Sequence, residues 1–222
     1  MKIVAVIAEK GGVGKTTLAL DLAVSATRNG RSAAVLDVDP QATASKWTDR
    51  RDEERPWVVP THASRIAASI DQAKGQGVDF IVIDTPPHSS TEAAEAARRA
   101  DVVVVPMEPH LFALETLEKL ADLQKIAGGT PFFVVINKSP VQGSEGANAA
   151  EFIRQQGFPV APVVVHLRAA HRHAGNVGKV AAEYERDGKA ADETLQLYLY
   201  TIQQIDTQRS TDAKAKPTHA RA

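Results

Sequence analysis

The stretch KGGVGKTT at residues 10–17 decides the fold of this chain. An apolar run, IVAVI at residues 3–7, precedes it, and a helix-like stretch at residues 17–28 follows it. Glycines allow consecutive backbone N–H groups to converge on an anion, and the N-terminus of the next helix adds its partial positive charge at the same place. A strand, a glycine loop and a helix in this order therefore predict a phosphate-binding loop.

The side chains of this loop are of the kind that binds a nucleoside triphosphate together with Mg²⁺. We expect Lys15 to reach the β- and γ-phosphates and the Thr16 hydroxyl to bind Mg²⁺. The residues predicted to contact the nucleotide are Gly11, Gly12, Val13, Gly14, Lys15, Thr16 and Thr17. An ordinary glycine turn would account for the glycines, but not for the strand and the helix on either side of them.

Composition narrows the class of protein. The chain has 222 residues, of which 43% are hydrophobic, and no apolar run approaches the ~18 residues that a membrane span requires. It contains no cysteine, which excludes a disulfide framework and a thiolate metal site. The sequence enters a strand-like run at once, without a secretory leader, so we expect a cytoplasmic protein.

Strand-like and helix-like stretches alternate along the chain. The strand-like runs are residues 2–8, 32–37, 57–61, 79–84, 101–106, 131–137 and 159–165, and the helix-like stretches are residues 16–29, 64–75, 91–99, 112–127, 145–156 and 190–205. Continuous apolar runs are typical of strands that are buried on both faces of a parallel sheet. We therefore predict a doubly wound α/β fold, with a mostly parallel sheet of about seven to eight strands and helices on both faces. It should form one P-loop NTPase domain over residues 1–206, followed by a disordered polar tail, residues 207–222.

Acidic residues stand where two of these strands end. VLDVDPQ at residues 35–41 carries Asp37 and Asp39, and FIVIDTPP at residues 80–87 carries Asp84. Ligands of doubly wound sheets bind outside the carboxyl ends of the strands, and an apolar strand that ends in Asp is the arrangement that holds Mg²⁺ in P-loop enzymes. For Asp37, a helix cap or a turn residue remains an alternative interpretation.

Three motifs in this order, KGGVGKTT, DVDPQ at residues 37–41 and IDTPP at residues 83–87, resemble those of the ParA/MinD family of deviant Walker A ATPases. The resemblance is to the short form of ParA, which lacks a helix-turn-helix domain, and it covers roughly residues 1–205. Further pieces agree with it, namely residues 100–106, LETL at residues 114–117, VINK at residues 135–138, GKV at residues 178–180 and the last helix-like stretch.

The resemblance implies a role for each of several residues. In that family the first lysine of the loop reaches the nucleotide of the partner subunit, which would be the role of Lys10, although a solvated loop lysine is the alternative. Asp39 would orient the attacking water, Asp84 would be the Walker B acid, and Asp37 would support Mg²⁺ and its waters. Asn137 would recognise adenine. Lys10, Lys15 and Asp39 are thus the expected catalytic residues, and Thr16, Asp37 and Asp84 the expected Mg²⁺ site.

The same resemblance implies a function. It is that of a slow, Mg²⁺-dependent ATP hydrolase that is stimulated by a partner, uses ATP and ADP as its nucleotides, and forms a homodimer when ATP is bound. The dimer would bind nucleoid DNA without sequence preference. With a centromere-binding ParB-type protein it would segregate plasmid or chromosomal DNA in the cytoplasm of a bacterium or archaeon.

One segment is a candidate for the contacts to duplex DNA. Residues 152–182 contain no acidic residue but carry four basic ones, Arg154, Arg168, Arg172 and Lys179. A basic face of this kind can bind phosphates, although solvated charge around ordinary helices is an equally open interpretation.

Three alternatives to DNA segregation remain open. A ParA-like ATPase could position a cargo other than DNA, such as a chemoreceptor array, a carboxysome or a secretion complex. A MinD-like ATPase would bind membranes through a basic amphipathic helix, but residues 207–222 contain no large apolar side chain, so we expect no membrane partner. A metabolic P-loop enzyme such as dethiobiotin synthetase would share the loop, but the DVDPQ motif argues against it.

Overall fold

The computed structural model describes residues 1–87, 90–109 and 113–215. Over these residues the chain forms one sheet of parallel strands, in the order β3-β2-β4-β1-β5-β6-β7. The strands are β1 (Lys2–Val6), β2 (Ala33–Asp37), β3 (Trp57–Pro60), β4 (Phe80–Asp84), β5 (Val102–Met107), β6 (Phe132–Ser139) and β7 (Val160–His166). The sheet confirms the predicted fold class, and each strand overlaps one of the predicted strand-like runs.

Helices cover both faces of the sheet. They are α1 (Lys15–Arg28), α2 (Thr43–Thr48), α3 (Ile66–Gly75), α4 (Ser90–Arg99), α5 (Ala113–Ala127), α6 (Glu145–Gln155), α7 (Ala169–Asn176), α8 (Ala181–Tyr184) and α9 (Lys189–Ala215), with a 3₁₀ turn at Ala63–Arg65. Apolar residues of α1, α2, α8 and α9 pack on one face, and those of α3, α4, α5 and α6 pack on the other. The LETL motif falls in α5, and its side chains lie outside the described part of the structure.

The strand sequences are apolar throughout because alternate residues enter two different cores. Val4 and Val6 of β1 pack with α1 on one face, whereas Ala5 packs with the helices of the other face. Phe80 and Ile81 of β4 divide in the same way. Each fully buried side chain of this size contributes about 1.5–3 kcal/mol to stability, so both layers fix the central strands, and with them the ends that carry Asp37 and Asp84.

The predicted disorder from Thr207 onward was wrong for residues 207–215, because α9 continues through them. Contacts to the start of the chain stabilise this extension. Arg209 donates a hydrogen bond of 2.6 Å to the Met1 carbonyl and pairs with Asp101 at 2.9 Å, while Lys2 pairs with Asp206. Residues 216–222 lie outside the described part of the chain. Within the described part, no helix combines the length and the apolar character that crossing a membrane requires.

Candidate nucleotide-binding site

The glycine loop joins β1, the central strand of the sheet, to α1, and its backbone has the conformation that an anion site needs. Gly12 and Gly14 have φ angles of 81° and 93°, in the left-handed region that glycine tolerates. Gly14 caps α1, and among the described residues no side-chain hydrogen bond caps the start of this helix. The free N–H groups and the helix dipole therefore remain available to a phosphate.

The Lys15 side chain lies against the inside of this loop. It is 7% exposed, and its Nζ donates to the Lys10 carbonyl at 3.4 Å. Burial lowers the pKa of Lys15 from its ordinary value, and the charges of Asp84 and Asp39 oppose that change. A buried ammonium with one long hydrogen bond is poised to bind an anionic ligand.

Asp84 and Asp37 lie side by side, because β4 and β2 are neighbouring parallel strands and the two residues are paired in register. Asp84 is fully buried, and neither carboxylate oxygen has a hydrogen-bond partner of normal geometry among the described residues. Burial raises the pKa of Asp84 to about 7; Thr16 and Lys15 oppose the rise, and Asp37 and Asp39 add to it. Burying an ionised carboxylate of this kind costs free energy of folding unless a cation lies beside it.

Asp37 has the helix-capping contact that was the alternative interpretation of its position, and it keeps one carboxylate oxygen that could support Mg²⁺. Its Oδ2 accepts hydrogen bonds from the backbone N–H and the hydroxyl of Ser45, both at 2.9 Å, which ties the start of α2 to the end of β2. Its Oδ1 is buried without a partner in the part of the chain that the structure describes. Ser45 could not be predicted from a sequence motif, because its bond to Asp37 depends on how α2 turns back toward the strand.

Asp39 and Lys10 are more exposed to solvent than Asp84 and Lys15, and they lie on the loops that follow the strand ends. The Asp39 carboxylate accepts a hydrogen bond of 2.9 Å from the backbone of Gln41, and Asp39 is partly exposed. The Lys10 side chain is 53% exposed, and its Nζ lies 3.9 Å from a carboxylate oxygen of Glu108. Both side chains are therefore able to move when a ligand or a second subunit arrives.

Residues of β6 contact the glycine loop. Asn137 donates a hydrogen bond of 2.7 Å to the Val13 carbonyl, and a Cβ on Gly14 would lie only 2.4 Å from the Asn137 amide nitrogen. Lys138 donates to the Gly12 carbonyl and lies 3.8 Å from Glu108. Lys138 belongs to the VINK motif, but no role was predicted for it, and Glu108 was not predicted at all.

The residues at this edge of the sheet fit Mg²⁺ bound to a nucleotide. The unpartnered oxygens of Asp84 lie near the Thr16 hydroxyl, and Asp37, also with an unpartnered oxygen, is the neighbour of Asp84 across the sheet. Carboxylate and hydroxyl oxygens are hard ligands of the kind that Mg²⁺ prefers. Over the described ranges, no three His, Cys, Asp or Glu side chains form a closed metal site. A site with few protein oxygens suits Mg²⁺, which takes its remaining ligands from water and phosphate.

The four basic residues predicted to bind DNA do not form one free basic face. Arg168 is 18% exposed and forms an ion pair of 2.6 Å with Glu193, which raises the pKa of Arg168. Arg154 donates to the Ala161 carbonyl at 3.2 Å. Arg172 is exposed and Lys179 is half-buried, and neither has an ion pair among the described residues.

A parallel sheet with a glycine loop after its central strand and acidic residues at the neighbouring strand ends defines a P-loop ATPase, and the paired lysines of the loop make it one of the ParA/MinD type. Residues 4–180 match the CobQ/CobB/MinD/ParA nucleotide binding domain, and the chain belongs to that family. The match confirms the resemblance inferred from the motifs.

Relatives within the family differ in what they position. The chain is 28% identical over 208 residues to the maintenance of carboxysome distribution protein A of Gloeobacter kilaueensis. This alignment covers 92% of this chain and 94% of the relative. It is 28% identical over 156 residues to the chromosome-partitioning ATPase Soj of Thermus thermophilus, in an alignment that covers 57% of this chain and 63% of the relative.

A solved structure supports the fold independently. The septum site-determining protein MinD of Pyrococcus horikoshii, complexed with Mg-ADP, superposes with a TM-score of 0.69 at 18% identity, covering 97% of this chain and 99% of that one. That structure holds Mg²⁺ and ADP, which are the metal ion and one of the two nucleotides that the family resemblance implies.

Proposed function

We propose that this chain is a ParA-like positioning ATPase that binds ATP with Mg²⁺, dimerises, and distributes a cargo other than DNA. The observation that carries the choice of cargo is the extent of the similarity. The carboxysome distribution relative matches over nearly the whole of both chains, whereas the match to Soj covers 57% of this one. This choice replaces DNA segregation, the main sequence prediction, with its alternative.

The ATPase chemistry follows from the placement of the side chains. Lys15 binds the phosphates from inside the loop, and the N–H groups of the loop and of the first turn of α1 surround them. Thr16 and Asp84 would hold Mg²⁺, and Asp37 would support it; the bound ion offsets charge on the phosphoryl oxygens. Asp39, on the loop beyond β2, orients the attacking water.

Because only the ATP-bound chain would dimerise, a partner protein can distinguish the ATP-bound state from the ADP-bound state. Lys10 is exposed beside the loop, so it can reach the nucleotide of a second subunit. Turnover that depends on such a contact is slow in the isolated chain and increases when a partner protein completes the assembly. The two nucleotide states then act as a switch.

Light scattering with a slowly hydrolysed ATP analogue tests this proposal. Wild-type protein should be a dimer with the analogue and a monomer with ADP. Asp39→Ala should keep the ATP-bound dimer and lose hydrolysis, because it removes a group that orients water and leaves the phosphate contacts intact. A wild-type protein that stays monomeric with the analogue at tens of micromolar would contradict the proposal.

Identification of the cargo requires a pull-down from the native host with the ATP-trapped Asp39→Ala protein. Recovery of a protein that associates with a large assembly would support the proposed cargo. Recovery of a centromere-binding ParB-type protein would instead support the second candidate function, segregation of plasmid or chromosomal DNA, which the similarity to Soj favours.

Binding to nucleoid DNA is a further part of the proposal, since a positioning ATPase needs a surface on which to move. Arg172 and Lys179 are the side chains to test, because Arg168 and Arg154 are engaged within the chain. Changing Arg172 and Lys179 together to Glu should weaken binding of the ATP-bound dimer to duplex DNA and flatten its dependence on salt. Arg65→Glu with Lys74→Glu, at exposed positions on another part of the surface, is the charge-matched control.

A further inference from the structure

Lys138 has a backbone conformation that needs an explanation. Its φ angle is +54°, in the left-handed region that non-glycine residues seldom adopt. It lies near the end of β6, where the pairing with β7 is irregular between Ile136 and Ser139. Unusual backbone of this kind persists when surrounding contacts favour it, and it often occurs at functional sites.

The contacts of Lys138 lead to the glycine loop. Its Nζ donates to the Gly12 carbonyl, and the preceding residue, Asn137, donates to the Val13 carbonyl. Two consecutive carbonyl groups of the loop are therefore bound by two consecutive side chains of one strand. Both donors come from a part of the chain far from the loop in sequence, so tertiary packing, and not the loop itself, fixes these peptide groups.

An anion site needs N–H groups, and a carbonyl that rotates toward the phosphates would repel them. Gly12 and Gly14 lack side chains, so the peptide groups of the loop can rotate easily unless something holds them. We propose that Lys138 is a positioning residue that fixes the Gly12 peptide, so that the loop is organised before the nucleotide binds. This inference rests on the proposed binding of ATP to the loop.

Glu108 connects this contact to the lysine that the proposal assigns to the dimer. One of its carboxylate oxygens lies 3.8 Å from the Lys138 Nζ, and the other lies 3.9 Å from the Lys10 Nζ. Lys10 and Lys138 thus share one counter-ion in the isolated chain. When Lys10 moves to a second subunit, Glu108 pairs with Lys138 alone, which favours the contact between Lys138 and the loop in the dimer.

Two substitutions separate positioning of the loop from a merely structural role. Lys138→Gly removes the ammonium and relieves the left-handed backbone, whereas Lys138→Met removes the ammonium and keeps the backbone unfavourable. Both should weaken the binding of ATP with Mg²⁺ about three- to tenfold, the effect of one lost hydrogen bond. Lys138→Arg retains a donor, and its affinity should stay within about twofold of the wild type.

Calorimetric titration with ATP and Mg²⁺, together with urea unfolding of the same proteins, provides the readout. We expect Lys138→Gly to lose affinity while its urea midpoint equals or exceeds that of the wild type. If Lys138→Gly binds as tightly as the wild type, or if affinity falls only in a variant that is less stable, the inference is overturned. A wild type that binds no nucleotide would overturn the proposed function and this inference together.

Discussion

Asp84 and Glu193 are both buried carboxylates, but their hydrogen bonding differs and their pKa values shift in opposite directions. Around Asp84, neither oxygen has a hydrogen-bond partner of normal geometry in the described chain, and burial raises its pKa to about 7. Burial also acts on Glu193, but hydrogen bonds from Arg168 and from the backbone and ring of His166 outweigh it and lower the pKa of Glu193.

The difference distinguishes a ligand site from a structural contact. Glu193 has its cation within the chain, Arg168 at 2.6 Å, so nothing further needs to bind there. Asp84 lies at the carboxyl end of a central strand, beside the glycine loop, where the charge of Lys15 offsets its burial only in part, so a bound cation would stabilise its ionised form. Because the unpartnered Asp84 carboxylate stands beside the glycine loop and the Thr16 hydroxyl, we propose that it is part of the site that binds Mg²⁺ with the nucleotide.

The largest effect is expected from Lys15→Ala, which attacks the ligand site itself. The variant lacks the buried ammonium that faces the phosphates, so the affinity for ATP with Mg²⁺ should fall by about 100-fold or more. Lys74→Ala, at an exposed lysine of α3, is the matched control and should bind as the wild type does. Undiminished binding of ATP by Lys15→Ala in calorimetry would refute the assignment of the loop.

A second substitution breaks the structural contact. Glu193→Ala removes the acceptor of Arg168 and His166, and it should lower the free energy of unfolding by about 2–3 kcal/mol at pH 7. Because folding lowers the pKa of Glu193, its contribution is present above the ordinary pKa of 4.5 and is lost as the pH falls below it. Urea unfolding at pH 7 and pH 4 measures this, and equal losses at the two pH values would contradict the account.

Asp21 sharpens the comparison, because it is a buried carboxylate within α1 and outside the site. Its Oδ2 lies 3.5 Å from the His171 ring, and its neighbours also include Glu183 of α8. Burial raises the pKa of Asp21 to about 8, because the fold favours the protonated carboxyl. The resulting contribution to the free energy of unfolding is fully present below pH 3.8 and is lost as the pH rises through 8.

Asp21→Asn should remove this loss and stabilise the fold by about 1–3 kcal/mol at pH 9, with little effect on nucleotide affinity. Urea unfolding between pH 5 and pH 9 makes the measurement, and parallel pH profiles for the two proteins would show that Asp21 is ionised in the fold.

The smallest effect is expected from Glu108→Gln, which changes a contact between the partly buried Glu108 and the exposed Lys10. Freed from its counter-ion, Lys10 should be more available to a second subunit, and the protein concentration at half-dimerisation with an ATP analogue should fall about twofold. In a Lys10→Ala background the same substitution should not lower this concentration, because no Lys10 ammonium is left to be freed. Light scattering across a dilution series measures both pairs, and equal shifts in the two backgrounds would exclude Lys10 as the cause.

The sequence predicted the sheet because its strands are continuous apolar runs, such as residues 80–83 and 102–105, and the structure places all seven where they were expected. It did not predict α2, α7 and α8, which are short and lack a helical period of apolar residues long enough to recognise. It also did not predict that α9 extends through residues 207–215, because the contact between Arg209 and Asp101 depends on the tertiary fold.

Residues that local motifs bring into the site were predictable, and residues that only tertiary packing brings there were not. Lys15, Thr16 and Asp84 stand in short motifs whose local structure alone brings them to the strand ends. Ser45, Lys138 and Glu108 approach the site only through packing between elements. Arg168 looked like a surface charge because its partner, Glu193, lies on another helix.

The most direct test of the Mg²⁺ and nucleotide site is a calorimetric titration with ATP, in the presence and absence of Mg²⁺, of the wild type and of Asp84→Asn. The account predicts that Mg²⁺ increases the affinity of the wild type for ATP and that Asp84→Asn loses this increase while it still binds ATP through the loop. If Asp84→Asn responds to Mg²⁺ as the wild type does, the unpartnered carboxylate of Asp84 does not belong to the Mg²⁺ site.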